Sequence, residues 1–76
     1  MKLTRLECEI LQVIDRLPAD CGEGVAPESL RDAMPGRPVA DIRNALGELQ
    51  AKQLIRLDEN QCAALREEGA AALKGV

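Results

Sequence analysis

The sequence predicts a mainly α-helical domain with a small β-hairpin: a three-helix core followed by a two-stranded appendage. Three observations carry this. Apolar residues recur at helical spacing in three successive stretches between Leu3 and Lys52. Proline or glycine punctuates each junction, at Pro18, Gly22, Gly24, Pro27, Pro35, Gly36 and Pro38. After Lys52 the spacing shortens to strand-like alternation on either side of a polar turn. The 76 residues allow one domain, spanning 1–76. A domain of this size buries only about 60% of its unfolded surface, so a partner or self-association would add to a modest stability.

The first helix opens at Thr4-Arg5-Leu6-Glu7, a capping box in which the Thr hydroxyl accepts from the Glu7 amide and the Glu7 carboxylate reaches back to the Thr4 amide. Leu3 and Cys8 flank it as a hydrophobic staple. Leu6, Ile10, Val13, Ile14 and Leu17 form the inward stripe, and Pro18 ends the helix. Leu11 lies roughly 110° from the centre of that stripe, at about 100° per residue. It is read as a flanking core residue, with a self-association surface as the alternative. Ala19 to Gly24 is a connector; Gly22-Glu23-Gly24 is too short and too acidic to cradle a phosphate.

Pro27 suits the first position of a second helix, with Glu28 favourable in its first turn. Leu30, Ala33 and Met34 supply the buried side, and Pro35-Gly36 stops it. Pro38 opens a third helix at about 38–52, with Val39, Ile42, Leu46 and Leu49 facing inward. Two short helices joined by a glycine-containing turn make a helix-turn-helix pattern. Leu54-Ile55-Arg56-Leu57 then alternates as a strand, Asp58 to Gln61 offers turn residues, and Gln61 to Leu65 returns antiparallel. Arg66 to Gly69 leaves the hairpin, and Ala70 to Leu73 forms a last helical turn over the core. An Ala-rich helix from Cys62 to Lys74 is the competing reading; Gly69 counts against it.

Composition narrows the function. There is no aromatic residue, hence no stacking platform of the kind that single-strand and RNA-binding sheets use. There is no His, no phosphate loop and no paired nucleophile and base, so an enzyme is not expected, nor a cofactor. Three cysteines without C-x-x-C or His fall short of a four-ligand zinc site, and Cys8, Cys21 and Cys62 are expected as free thiols. No signal-peptide pattern and no apolar run of membrane-spanning length is present, so a cytoplasmic protein without membrane contact is expected. The net charge is −3; residues 1–36 hold four basic and seven acidic groups, and residues 37–76 hold six of each.

Several stretches, in order, resemble winged helix-turn-helix regulators, especially small bacterial ones of the multiple-antibiotic-resistance and penicillinase-repressor type. Leu3 to Leu11 is similar to their first-helix opening, and Val39 to Leu49 to their recognition helix. Lys52-Gln53-Leu54-Ile55 is similar to their Lys-Gly-Leu-Ile exit, and Ala63 to Gly69 to their returning strand and turn. Gln53 stands where Gly commonly supplies a left-handed cap, Ala63 where an aromatic commonly packs, and Arg66 where Thr is usual. The resemblance implies a winged helix and a transcriptional regulator of a bacterium, phage or mobile element. Its partner would be double-stranded DNA, bound as a dimer.

Helical geometry puts Arg37, Ala40, Asp41, Asn44, Gly47, Glu48 and Ala51 on or near the outer face of the third helix, with Arg43 and Lys52 on its flanks. The expected DNA-contact set is Arg37, Ala40, Arg43, Asn44 and Gly47 from that helix, with Arg56, Asn60 and Gln61 from the wing. Arg and Asn offer the donors and acceptors that read guanine and adenine edges. The acidic balance, with Asp41 and Glu48 on the same face and Glu59 at the wing tip, points instead to a winged helix kept as a protein-interaction module. A homodimer or another protein would then be its partner.

Overall fold

The computed structural model describes residues 3–74; Met1, Lys2, Gly75 and Val76 lie outside them. The elements run α1 (Arg5–Arg16), α2 (Pro27–Ala33), α3 (Val39–Ala51), β1 (Ile55–Leu57), β2 (Ala63–Leu65) and α4 (Glu67–Lys74). Four helices and a two-stranded antiparallel hairpin enclose one apolar core. In the hairpin Ile55 pairs with Leu65, Arg56 with Ala64 and Leu57 with Ala63.

The capping box of α1 forms as expected: the Thr4 amide donates to Glu7 Oε1 at 2.8 Å and the Glu7 amide to Thr4 Oγ1 at 3.1 Å. Pro27 opens α2 behind the extended N-cap residue Ala26, and Pro38 is itself the extended N-cap of α3. α1 packs against α2, α3, α4 and β2, and so is covered on more than one side. That widens its buried arc beyond one stripe. Leu11 is fully buried beside Ile10, Val13 and Ile14, and supplies no self-association surface.

Three details of the core differ from expectation. Ala33 is exposed, because α2 is only seven residues long and buries Leu30 and then Met34. Val39 is 42% exposed, in the first turn of α3 where little covers it, and Ala45 takes a place in the stripe with Ile42, Leu46 and Leu49. Glu67, Glu68 and Gly69 belong to α4 rather than to a connector. Gly69 is what lets that helix dock: a Cβ there would overlap the Leu54 carbonyl oxygen. The glycine that counted against a helix is the residue that seats one.

α3 ends in a Schellman motif. The Gln53 amide donates to the Gln50 carbonyl at 2.9 Å and the Leu54 amide to the Leu49 carbonyl at 3.0 Å. Gln53 itself sits at φ +62°. The exit thus has the left-handed cap that Gly ordinarily supplies, built on a residue that is strained there.

One ion pair joins the start of α1 to the end of α3. Lys52 Nζ lies 2.7 Å from Glu7 Oε2, and the Glu7 side chain is 3% exposed. Burial works to raise the Glu7 pKa, but the Lys52 hydrogen bond and those with Thr4 outweigh it, and the carboxyl lies below its ordinary value of 4.5. A group depressed in the folded state stabilises above its unfolded pKa and loses that contribution as pH falls through the folded value.

Two outcomes are expected. Glu7→Gln costs about 2 kcal/mol at neutral pH, the scale of a hydrogen bond to a charged group, and flattens the loss of stability below pH 4.5; urea unfolding of both proteins across the acid range reads it. Gln53→Gly raises the urea midpoint, by about 0.5–1 kcal/mol in stability, as the left-handed strain is relieved. A lower midpoint would contradict the cap geometry.

Candidate functional site

The site is built from three short segments that converge on one groove. The first is the entry of α2. Ala26, its N-cap residue, has no capping side chain of its own. Asp20 in the preceding loop replaces it: the Ala26 amide donates to Asp20 Oδ1 at 2.9 Å, and the Ser29 hydroxyl donates to Oδ2. The Ser29 bond, then the Ala26 amide, holds the Asp20 carboxyl below its ordinary range. This fixes Pro27 and Glu28 on the groove rim.

The hairpin turn is the second segment. Asp58 Oδ1 accepts from the Asn60 amide at 2.8 Å and the Cys62 amide at 2.9 Å, while the Gln61 amide donates to the Asp58 carbonyl at 2.9 Å. This Asx-type turn projects Asn60 and Gln61, with Gln61 at φ +64°. The third segment is α3, which presents Arg43, Gly47 and Gln50 one turn apart over a floor of Leu46 and Leu57. Together these residues line a groove of about 490 Å³.

Of the expected contact residues, Arg43, Gly47, Asn60 and Gln61 share this groove; the other four lie elsewhere. Arg37 precedes α3, and its Nη2 donates to both Glu9 carboxylate oxygens at 3.0 and 3.1 Å, tying the helix entry to α1. Arg56 neighbours Leu57 in β1, and strand alternation sends it to the opposite face. There its Nη2 lies 2.6 Å from Glu23 Oε2. Asn44, one residue and about 100° round the helix from Arg43, lines a separate hollow with Thr4, Asp41, Glu48 and Lys52. Ala40 is exposed in the first turns of α3 and lines none of these hollows. Gln50, Glu28, Pro27 and Leu57 were missed. Gln50 follows Gly47 by three and Arg43 by seven, so helical periodicity alone would have found it; nothing local marks Glu28.

Among the described residues Arg43 is the groove's one cation, and it makes no ion pair. Of the exposed acids, Glu28 lines the groove with it, while Asp41 and Glu48 line the Asn44 hollow. A second concavity, about 570 Å³, lies on the outer face of the hairpin. Its Arg56 and Arg66 are paired to Glu23 and Glu68, so it offers no free cation.

The hairpin is held to the helices at its base. The Val25 amide donates to the Ala63 carbonyl at 2.7 Å, and the Ala63 amide to the Val25 carbonyl at 2.9 Å. A Cβ on Gly24 would come within 2.5 Å of the Ala63 oxygen, so this approach requires glycine. Beside the bridge, Cys21 and Cys62 form a disulfide with Cα atoms 5.9 Å apart. The free thiols expected for these two residues are therefore corrected: the bridge brings together cysteines 41 residues apart in sequence, and only Cys8 stays free. Among the described residues no helix is long and apolar enough to cross a membrane.

No protein-family profile, no characterised protein and no solved structure matches the chain.

The disulfide closes a loop large enough for chain entropy to give it about 4 kcal/mol. A domain of this size has about 4–11 kcal/mol of stability in all. In a Cys8→Ser background, a dithiol reductant should lower the urea midpoint steeply. An unchanged midpoint would show that the bond does not form.

Proposed function

We propose that the domain is a winged helix that binds double-stranded DNA, with the groove between α3 and the wing against the duplex. The supporting observation is the convergence of Arg43 and Gln50 from one exposed helix face with Asn60 and Gln61 from the wing tip. A helix fills a major groove, and a neighbouring loop reaches the adjacent backbone or minor groove. Arg43 contacts a guanine edge or a phosphate, Gln50 an adenine edge, and the two tip amides the sugar or minor-groove edge. Gly47 leaves open space above it, with no atom near a built Cβ, so a backbone can approach closely there.

Charge is the term that opposes this reading, and its size can be set. Arg37 and Arg56 are held by ion pairs, Arg56 with its side chain 61% and its partner 83% exposed. Such pairs are worth about 0–1 kcal/mol, so a phosphate displaces the carboxylate at small cost. A copy that turns Arg37 and Arg43 to phosphate has a salt slope of about −2, at about −0.9 per phosphate neutralised. That is weak binding for one copy, and two copies on one duplex compensate for it. The reading carries with it a transcriptional regulator that acts as a dimer in a bacterial cytoplasm.

The second reading is a winged helix that docks a basic protein surface. Glu28 in the groove, with Asp41 and Glu48 in the Asn44 hollow, favours it specifically, since carboxylates repel phosphate and attract cations.

A fluorescent mixed-sequence duplex titrated at low and moderate salt separates the two by anisotropy. Salt-sensitive binding that Arg43→Ala weakens by about 1–3 kcal/mol is the expected result. Gly47→Ala should stabilise the fold by about 1 kcal/mol while weakening binding, which separates contact from folding. Absence of binding at low salt rejects the DNA reading and leaves the protein-docking one.

A further inference from the structure

Cys21, Asp58 and Cys62 form a cluster that neither the DNA reading nor the protein-docking reading uses. Their Sγ and carboxylate oxygen atoms all lie within 4.8 Å of one another. The three residues come from two segments that the Val25–Ala63 bridge holds together. Each segment is shaped on its own. Cys21 closes the Cys21–Gly24 turn with two backbone hydrogen bonds, at 3.0 and 3.1 Å. Asp58 uses Oδ1 for the two wing amides and leaves Oδ2 without a hydrogen-bond partner among the described residues. That oxygen is turned toward the other segment, 3.9 Å from where a Cβ on Gly22 would stand.

We propose that the reduced protein binds one thiophilic divalent cation of the zinc class through Cys21 Sγ, Cys62 Sγ and Asp58 Oδ2, with water completing the shell. Two thiolates and a carboxylate suit Zn²⁺, which accepts S and O ligands in a four-coordinate tetrahedral site. Zn–S bonds of about 2.3 Å require the sulfurs to open to about 3.8 Å, and the Cα separation of 5.9 Å leaves room for that. Cys62 is 3% exposed, while Cys21 is half-buried and Asp58 exposed, so an ion enters from the Asp58 side.

The chemistry balances as two linked steps. A dithiol reductant delivers two electrons and two protons to the Cys21–Cys62 bond and becomes a disulfide itself. The cation then displaces the two thiol protons to solvent. The covalent link and the metal are therefore alternative clasps on the same two segments. Reduction removes the cross-link stabilisation, and metal binding to the folded form restores stability by linkage.

The test uses the full chain in a Cys8→Ser background, so that no third thiol competes. Oxidised and reduced protein are titrated with Co²⁺ under anaerobic conditions and then challenged with Zn²⁺. Thiolate-to-cobalt charge transfer and tetrahedral d–d bands should appear in the reduced protein alone, saturate at one equivalent and vanish as Zn²⁺ displaces Co²⁺. Asp58→Asn keeps the Oδ1 acceptor for the wing amides and loses the ligand. It should weaken affinity at least about tenfold, the loss that even an outer-shell partner brings. Cys21→Ser should abolish the charge-transfer band. Circular dichroism covers the case in which reduction unfolds the chain: folding restored by Zn²⁺ supports the site, and a reduced chain that stays unfolded with Zn²⁺ overturns it. Equal Co²⁺ binding by the oxidised protein, or unaltered affinity in Asp58→Asn, also overturns it.

Discussion

The relation between the hairpin and the helices depends on two hydrogen bonds between Val25 and Ala63. The hairpin has only three residues in each strand, too few to stand alone. Pairing Ala63 with Val25 gives it a third extended segment, and that segment is the chain entering α2. One contact therefore fixes the hairpin against the entry of α2. It also requires glycine at position 24 and places Cys21 beside Cys62. The groove inherits its width from this contact, because Pro27 and Glu28 follow Val25 directly while Asn60 and Gln61 precede Ala63.

A second constraint works from the other end. α1 is surrounded by α2, α3, α4 and β2, and the residues it buries include the carboxylate of Glu7. That charge is tolerable because Lys52 and the Thr4 amide meet it. The capping box thus does two jobs: it starts α1, and it offers Oε2 to the last turn of α3. The Schellman exit follows at once, so the direction of β1 is set by Lys52, Gln53 and Leu54 together. The cost is a non-glycine residue at positive φ.

Charge explains why this fold does not announce its partner. The described residues carry five ion pairs, and these absorb the arginines that stand before α3 and on the wing. What remains at the groove is one arginine, the amides of Gln50, Asn60 and Gln61, and the carboxylate of Glu28. Reading DNA with that surface relies on amide hydrogen bonds and on ion pairs that exchange carboxylate for phosphate. Docking a basic protein relies on the acids already in place.

The sequence by itself determined what is local. Thr4 and Glu7 are three residues apart, Pro27 and Pro38 act on the turn they begin, and Asp58 to Gln61 turns within its own span. Helix starts and the hairpin were legible for that reason, and so were Ile10, Leu30, Leu46 and Leu49 as core. Four groove residues were legible because they follow helix and turn geometry. Only the tertiary structure decided matters that join distant residues. Arg37 meets Glu9 across 28 positions, Arg56 meets Glu23 across 33, and Lys52 meets Glu7 across 45. Cys21 finds Cys62 across 41, and Leu11 is buried because several elements close over one helix. Local signals report backbone preference, whereas pairing and burial depend on which surfaces the packed elements bring within a few ångströms of each other.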